Sequence, residues 1–233
     1  MKIKVINPNA SEWVTERIAG CALEAARAGT QVTVERVATG PRAIESHYDM
    51  VCAGPGFLQA VRSGETEGCD GYVAACFGDP GINAAREIAS GPMIGMGEAA
   101  LHAASYLSSS YVVVTTIPRM DIFARRLVLD SGTETRCRGI VPIGMDIGAI
   151  TNAGTALSQD VIEGFRSALE QTQAEAVILG SAAFAGISRP LGEALTVPVL
   201  DGIALAVKIV EGLVDLGLKT SRRGALATPA TVS

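Results

Sequence analysis

The chain has 233 residues, of which 48% are hydrophobic and only 18% are charged, and its formal net charge is −5. This length and composition predict a globular protein with a substantial core and exclude a disordered one. A negative net charge without a basic stripe argues against nucleic-acid binding, so the expected partner is a small anionic or neutral molecule.

The five cysteines and two histidines occur without a CxxC pair or another metal-ligand pattern, which argues against a zinc site and against a disulfide framework. The sequence begins directly with a predicted strand, without a signal peptide's apolar run, and it has no apolar stretch of membrane-spanning length. We therefore expect a cytoplasmic protein with reduced thiols and no membrane partner.

Short β-branched runs alternate with longer alanine-rich segments of helical periodicity, which is typical of βαβ units and a parallel sheet. The predicted strands cover residues 2–6, 31–37, 71–76, 93–95, 111–115, 138–142, 176–179 and 199–200. The predicted helices cover residues 11–28, 83–88, 97–107, 120–130, 159–170 and 202–216. Glu45, His47 and Tyr48 fall in a segment that we expect to be a solvated loop, with a lid over the site as the alternative.

The order of these elements repeats in the two halves of the chain. A strand, Asn7-Pro8-Asn9 and a helix in the first half correspond to a strand, Thr115-Thr116-Ile117-Pro118 and a helix in the second. We therefore predict an α/β protein of two similar lobes, each a parallel sheet flanked by helices, with the active site in the cleft between them. The predicted first lobe combines residues 1–96 with 206–233, and the second covers residues 97–205.

Residues 70–81 are interpreted as a buried strand that ends at Cys76, followed by a glycine-rich turn and the start of a helix. Ligands of open α/β sheets bind at the carboxyl ends of strands, where turn N–H groups and a helix N-terminus favour a thiolate. The alternative is a buried structural cysteine. A second apolar strand ends in the same way at Ser181, which favours one site built from two halves. The other cysteines are expected to be structural or surface thiols: Cys21, Cys52, Cys69 and Cys137.

Six stretches, spread in order over nearly the whole chain, carry a resemblance to a known family. They are Val5-Ile6-Asn7-Pro8-Asn9, Gly40-Pro41 with residues 44–49, Ala75-Cys76-Phe77-Gly78-Asp79-Pro80-Gly81, Glu98-Ala99-Ala100 with His102-Ala103-Ala104, Val114-Thr115-Thr116, and Leu179-Gly180-Ser181-Ala182. As a set they resemble the aspartate/glutamate racemase superfamily and, within it, hydantoin and allantoin racemases. The resemblance implies a cofactor-independent homo-oligomer in which two cysteines act as acid and base on opposite faces of the substrate.

The second catalytic position departs from that family pattern, because this chain has Ser181 where the family has cysteine. A thiol has a pKa of about 8.5 that its surroundings can bring near neutrality, whereas a serine hydroxyl ionises only beside a strong base. Three explanations remain: an engineered replacement that traps substrate, a natural relative with one-sided proton chemistry, or a misplaced second motif. We favour the first, because the rest of the chain resembles an ordinary family member.

The resemblance implies a small-molecule substrate, either a 5-monosubstituted hydantoin or allantoin, whose C5 carbon lies beside a ring carbonyl. One of the two residues, Cys76 or Ser181, removes the C5 proton, and the other returns a proton from the opposite face. Because proton removal leaves an enolate, the site needs hydrogen-bond donors where charge develops on oxygen. The expected donors are backbone N–H groups after strand ends: Phe77, Gly78, Thr116, Ile117, Ala182 and Ala183.

Four further residues have both a functional and a structural interpretation. Asn9 follows the carboxyl end of a predicted strand, so a place in the site and a role as turn and helix cap are equally expected. Asp79 and Pro80 are expected to shape the turn after Cys76 and to cap the next helix. His102 is expected to be a core or capping histidine.

Two other classes of function remain open. One is a single-cysteine lyase that resembles arylmalonate decarboxylase, but that enzyme keeps its thiol at the second position, whereas this chain has Cys76 at the first. The other is a non-catalytic ligand-binding protein, against which the intact Cys76 turn argues. Deuterium exchange at a substrate carbon separates both enzymes from the binding protein, and release of carbon dioxide from a malonate identifies the lyase.

Overall fold

The computed structural model describes residues 1–144 and 157–230, and within these ranges eight strands form two parallel sheets of four strands each. The strands are β1 (Lys2–Asn7), β2 (Gln31–Arg36), β3 (Gly71–Ala74), β4 (Met93–Gly95), β5 (Tyr111–Thr115), β6 (Cys137–Pro142), β7 (Ala176–Leu179) and β8 (Val199–Leu200). The sheets have the orders β2-β1-β3-β4 and β6-β5-β7-β8, so the second repeats the topology of the first. The predicted α/β fold of two similar lobes is confirmed.

Helices cover the faces of both sheets, as crossover connections between parallel strands require. They are α1 (Glu12–Ala25), α2 (His47–Glu67), α3 (Ile82–Ile88), α4 (Met96–Leu107), α5 (Asp121–Asp130), α6 (Gln159–Thr172), α7 (Ser188–Leu195) and α8 (Gly202–Asp215), with short 3-10 helices at Pro118–Met120, Glu134–Arg136, Ala182–Phe184 and Gly224–Leu226. None of the helices described is long and apolar enough to cross a membrane.

The central strands β3, β5 and β7 are buried along their whole length, which explains their nearly continuous apolar sequences. In the first sheet Ile6 of β1 pairs with Ala74 of β3, and in the second sheet Val114 of β5 pairs with Leu179 of β7. These equivalent registers bring the carboxyl ends of corresponding strands to corresponding edges of the two sheets. They set the positions of the turns that follow β3 and β7.

One hydrophobic core connects the two sheets, because α1, α4 and α8 contribute to a cluster that includes side chains from both. Ile3 and Val73 belong to this cluster from the first sheet, and Tyr111 and Ile178 belong to it from the second. The C-terminal helix α8 packs against β3, β4, α1 and α4, although it follows the last strand of the second sheet. The lobes are therefore packed through shared helices, with further clusters on their outer faces.

The prediction of a solvated loop around His47 is wrong, since His47 and Tyr48 form the first turn of the long helix α2. Ser46 caps this helix by accepting a hydrogen bond from the Asp49 N–H at 3.1 Å. Helix α2 was not predicted because Gly54, Pro55 and Gly56 lower the helix propensity of this segment. Gly56 has a packing reason, since a Cβ there would lie 2.1 Å from Val37 Cγ1.

Two further differences from the predictions concern a whole helix and the end of a strand. Helix α7 was absent from the predicted elements, because it is only eight residues long and contains a proline and a glycine, which lower helix propensity. Strand β3 ends at Ala74, so Cys76 belongs to the turn that follows the strand and not to the strand itself. This second difference matters for the site, because a residue in a turn is free to face the cleft.

Candidate active site

A cleft at the carboxyl ends of β3 and β7 is lined by both halves of the chain. Seven of the nine predicted site residues line it: Asn9, Cys76, Phe77, Thr116, Ser181, Ala182 and Ala183. The structure thus brings together the two strand ends that the sequence singled out. Parallel α/β sheets bind ligands at this kind of edge.

Gly78 and Ile117 are not among the residues that line this cleft. Gly78 has a φ of +110° and instead borders a separate groove between α2 and α5. Ile117 is half-buried and precedes the short helix Pro118–Met120. The two residues directly follow lining residues, Phe77 and Thr116.

Cys76 is held by backbone hydrogen bonds on both sides of its turn. The Ala75 N–H donates to the Ile6 carbonyl at 2.9 Å, and the Asp79 N–H donates to the Cys76 carbonyl at 3.1 Å. The Cys76 side chain is buried, and its Sγ lies 3.8 Å from the carbonyl oxygen of Phe77. A thiol at this distance from a carbonyl is oriented as a donor, which suits the protonated form.

The expectation that the turn favours a thiolate is wrong for the ligand-free protein. Burial raises the pKa of Cys76 to about 12, and the negative charge of Asp79 adds to this effect. The next helix, α3, begins only at Ile82, so its N-terminus is beyond the single turn over which a helix dipole acts strongly. Cys76 is therefore a thiol at neutral pH until a ligand or a change of pH alters its surroundings.

Asp79 connects the turn after Cys76 to a helix, but not to the helix that was expected. Its carboxylate accepts hydrogen bonds from the N–H groups of Gly97 at 3.4 Å and Glu98 at 3.1 Å, so it caps α4 instead of α3. A Cβ on Gly95 would lie 2.2 Å from the Asp79 carboxylate, which explains the glycine at that position. Burial, followed by the charge of Glu98, raises the pKa of Asp79 to about 8.

Ser181 follows β7 in an extended conformation and caps the short helix Ala182–Phe184. Its Oγ accepts a hydrogen bond from the Ala183 N–H at 3.3 Å, so one expected enolate donor is already engaged. The preceding Gly180 packs tightly against β5, where a Cβ would lie 2.7 Å from the Val114 carbonyl oxygen. This close contact fixes the point at which the chain turns away from the sheet and presents Ser181.

Neither histidine is placed to activate Ser181, since the cleft lining described contains no imidazole. His102 is exposed on α4, so the expectation of a core or capping role is wrong. The ring of His47 packs against Phe123, with 4.8 Å between the ring centroids. The Ser181 hydroxyl is thus a hydrogen-bonding group without a strong base beside it.

The side-chain amide of Asn9 is oriented by its neighbours. Its Oδ1 accepts hydrogen bonds from Asn7 Nδ2 at 3.0 Å and from the Ser11 N–H at 2.9 Å. With the oxygen engaged twice, the Nδ2 group is the part of Asn9 that remains to donate to a ligand. The N-cap of α1 is Ser11, not Asn9, so the helix-cap interpretation of Asn9 is wrong.

Several lining residues were missed by sequence reasoning, because most of them are apolar or small and carry no chemical signature. They are Ser11 and Val14 near the start of α1, Arg42 and Ile44 before α2, and Met120 before α5. Glu45, for which the sequence left a place over the site as the alternative to a solvated loop, also lines the cleft. Arg42 and Glu45 add one positive and one negative side chain to the cleft wall.

The remaining cysteines lie outside the lining of the cleft, and all five are free thiols. Cys21 and Cys69 are buried, Cys137 is half-buried and Cys52 is exposed. Within residues 1–144 and 157–230 no group of three or more His, Cys, Asp or Glu side chains is arranged to hold a metal ion. The chemistry available in the cleft is therefore that of one thiol, several hydroxyls, the charged side chains of Arg42 and Glu45, and oriented N–H donors.

Comparison with known proteins supplies the family. The sequence model of the family described as Asp/Glu/Hydantoin racemase matches residues 3–210. A hydantoin racemase of Pseudomonas sp. (strain NS671) is 41% identical over 225 residues, which cover 95% of this chain and 89% of that protein. A hydantoin racemase of Rhizobium meliloti is 36% identical over 229 residues, which cover 98% of this chain and 95% of that protein.

Solved structures support the same assignment. An allantoin racemase from Klebsiella pneumoniae superposes on this chain with a TM-score of 0.92 at 42% sequence identity. The superposition covers 98% of this chain and 94% of the allantoin racemase chain. A glutamate racemase from Francisella tularensis shares the fold, with a TM-score of 0.65 at 17% identity. The chain therefore belongs to the Asp/Glu/hydantoin racemase family, whose hydantoin and allantoin racemases are isomerases.

Proposed function

We propose that the chain is a cofactor-independent racemase scaffold for 5-monosubstituted hydantoins or allantoin. In this proposal Cys76 and residue 181 lie on opposite faces of the substrate's C5 carbon. One observation carries this proposal. Cys76 and Ser181 each stand two residues beyond a central strand, β3 or β7, and both line one cleft. In this proposal the cleft separates a lobe of residues 1–96 and 206–233 from a lobe of residues 97–205.

The proposed reaction moves only protons. The thiolate of Cys76 removes the C5 proton, and the electron pair left on carbon is delocalised onto the adjacent ring carbonyl as an enolate. The proposed donors to this oxygen and to the ring are Asn9 Nδ2 and the backbone N–H groups of Phe77, Thr116 and Ala182. Return of a proton from the side of Cys76 restores the same enantiomer, whereas a proton from the side of residue 181 inverts C5.

With serine at position 181, the proposed site has one effective base, Cys76. Proton exchange at C5 proceeds on the face of Cys76, and inversion is slow because the Ser181 hydroxyl is a weak acid and a very weak base. The family resemblance further supports a cytoplasmic homo-oligomer that acts on a small molecule.

The variant Ser181→Cys tests the proposal. Single enantiomers of a 5-alkyl hydantoin and of allantoin are incubated with this variant, and the loss of circular dichroism is followed against an enzyme-free control. We expect the variant to racemise at least one of the two substrates. A variant that folds like the parent and racemises neither substrate above the control would contradict the proposed function.

A further inference from the structure

One peptide group beyond the Ser181 turn is held at both ends by charged side chains of opposite sign. The carbonyl of Ala185 accepts a hydrogen bond from Arg17 Nη2 at 2.6 Å. The N–H of the same peptide, which belongs to Gly186, donates to Asp201 Oδ2 at 2.7 Å. A cation at the carbonyl and an anion at the N–H both match the peptide dipole, and charged partners strengthen such bonds.

The two charged residues come from parts of the fold that follow different strands. Arg17 lies in α1, which directly follows β1 of the first sheet. Asp201 follows β8 of the second sheet and caps α8, where its Oδ1 accepts from the Ile203 N–H at 2.9 Å. The peptide between Ala185 and Gly186 is thus fixed from the first sheet and from the link between the second sheet and α8.

The surroundings make this contact costly to break. Asp201 is buried, and Cys21 Sγ donates a further hydrogen bond to its Oδ2 at 3.3 Å. Trp13 covers the guanidinium of Arg17, with 5.4 Å between Arg17 Cζ and the ring centroid. Trp13, Arg17 and Cys21 follow one another at intervals of four residues, so all three side chains lie on one face of α1.

The clamped peptide connects directly to the turn that lines the cleft. The Ala185 N–H donates to the Ala182 carbonyl at 3.1 Å, and the Phe184 N–H donates to the Ser181 carbonyl at 3.1 Å. A displacement of Ala185 therefore shifts the turn from Ser181 to Ala183. The turn of Cys76 is held separately, because the Ala75 N–H donates to the Ile6 carbonyl and the Asp79 N–H donates to the Cys76 carbonyl.

We propose that Arg17 and Asp201 are positioning residues that clamp the Ala185–Gly186 peptide and so place residue 181 for its half of the reaction. The inference rests on the proposed function, since it assigns the clamp to one face of the substrate. The alternative is that these hydrogen bonds only stabilise the fold. In that case loss of the clamp should lower proton exchange equally on the two faces of the substrate.

The first experiment measures the clamp without substrate. Amide hydrogen–deuterium exchange is followed in residues 181–187 of the full chain, in the variants Arg17→Met, Arg17→Lys and Arg189→Met. Arg189 is the matched control, because it also joins the second half to α1 through an ion pair with Glu24 at 3.4 Å, with side chains that are 80% and 69% exposed. We expect at least tenfold faster exchange at Gly186 in Arg17→Met, partial recovery in Arg17→Lys, and no change in Arg189→Met.

The second experiment separates the two faces of the substrate. Arg17→Met is introduced into the chain as it stands, which has a thiol at position 76 only, and into Cys76→Ser/Ser181→Cys, which has a thiol at position 181 only. Deuterium uptake at C5 is measured for both hydantoin enantiomers. We expect the rate loss caused by Arg17→Met to be at least tenfold larger in the second background, with partial rescue by Arg17→Lys.

Each outcome decides between the positioning and the structural role. Equal losses in the two backgrounds, or the same loss in Arg189→Met, would overturn the positioning role. Unchanged amide exchange at Gly186 in Arg17→Met would overturn the clamp itself. If Arg17→Met does not fold, Asp201→Asn takes its place, because an amide keeps one acceptor and loses the charge. Inactivity of both parent backgrounds contradicts the proposed function, and the amide exchange then decides the clamp alone.

Discussion

Cys76 and Ser181 occupy equivalent positions in the two sheets, each two residues beyond the last residue of a buried central strand. The equivalence follows from identical strand orders and corresponding registers, and it brings one thiol and one hydroxyl to the same cleft. A two-sided reaction needs one proton-transfer group on each side of the substrate. The chain has a residue at each of these two positions, but only Cys76 carries a group whose ordinary pKa in water lies near neutral pH.

The hydroxyl of Ser181 is expected to contribute little to proton transfer. Ser181→Ala should therefore keep the C5 exchange rate of the parent chain within about threefold, whereas Ser181→Cys should raise the racemisation rate by about 10²–10⁴-fold, the usual contribution of a positioned acid or base. Deuterium uptake at C5, followed by NMR, measures Ser181→Ala, and polarimetry on a single enantiomer measures Ser181→Cys. A parent chain that already racemises as fast as Ser181→Cys would show that the hydroxyl functions.

The C5 exchange rate of the parent chain is expected to rise with pH. Burial raises the pKa of Cys76 to about 12, so the thiolate fraction grows by about tenfold per pH unit below that value. Above pH 8 the ionised Asp79 opposes the thiolate, which should flatten the profile. Exchange measured from pH 6 to 9, with the uncatalysed rate subtracted, tests this. Asp79→Asn should remove the flattening, and a bell-shaped profile centred near pH 7 would be inconsistent with a buried thiol.

Folding stability is expected to depend on pH through the same Asp79. Its pKa in the folded protein, about 8, lies above the usual value for an unfolded chain, about 3.9. The group therefore stabilises the fold fully below pH 4, and this contribution is lost as the pH rises through 8. Glu98 and Arg86 are the charged neighbours that modify this effect. Urea unfolding at pH 5 and pH 9 should show a smaller difference for Asp79→Asn than for the parent chain.

Asp130→Asn is the control for that measurement, because Asp130 is exposed in an i,i+4 pair with Arg126. Exposed pairs of this kind contribute only about 0.3–0.5 kcal/mol. The control should therefore keep the parent's difference between the two pH values. Equal behaviour of Asp79→Asn and Asp130→Asn would mean that Asp79 is not the titrating group.

Two helical glycines, Gly56 in α2 and Gly20 in α1, should respond to alanine in opposite directions. A Cβ on Gly56 would lie 2.1 Å from Val37 Cγ1, so Gly56→Ala should destabilise the fold by about 1–3 kcal/mol. A Cβ on Gly20 meets nothing within 4 Å among the residues described, so Gly20→Ala should stabilise the helix by about 0.5–1 kcal/mol. Thermal or urea unfolding measures both, and a stabilised Gly56→Ala would refute the close approach of α2 to the sheet.

Asn9 is expected to bind substrate through its Nδ2 group. In the Ser181→Cys background, Asn9→Ala should lower kcat/KM about 10- to 100-fold, because the variant loses one fixed hydrogen-bond donor to the ligand. Asn83→Ala is the matched control, since Asn83 bonds only to Arg86 on the exposed surface among the described contacts. Equal kcat/KM for the two variants would remove Asn9 from the proposed site.

The sequence predicted the strands and most helices well, because their apolar runs and periodicity are local properties. Helix α2 was missed for a physical reason, since Gly56 and Gly64 allow close packing against Val37 and Tyr72 but lower the helix propensity of the segment. The two proposed catalytic residues, Cys76 and Ser181, were found from their places after apolar strands. Val14 and Met120 were not, because an apolar wall residue is recognisable only once the chain is folded.

The most direct test of the account follows the C5 proton of single hydantoin enantiomers in deuterated water with the chain as it stands. NMR reports deuterium uptake, circular dichroism reports chirality, and Cys76→Ala with an enzyme-free sample sets the background. We predict that one enantiomer takes up deuterium while its optical activity persists, and that Cys76→Ala abolishes the uptake. Uptake that survives in Cys76→Ala, or equal uptake by both enantiomers, would contradict the assignment of Cys76 as the one effective base.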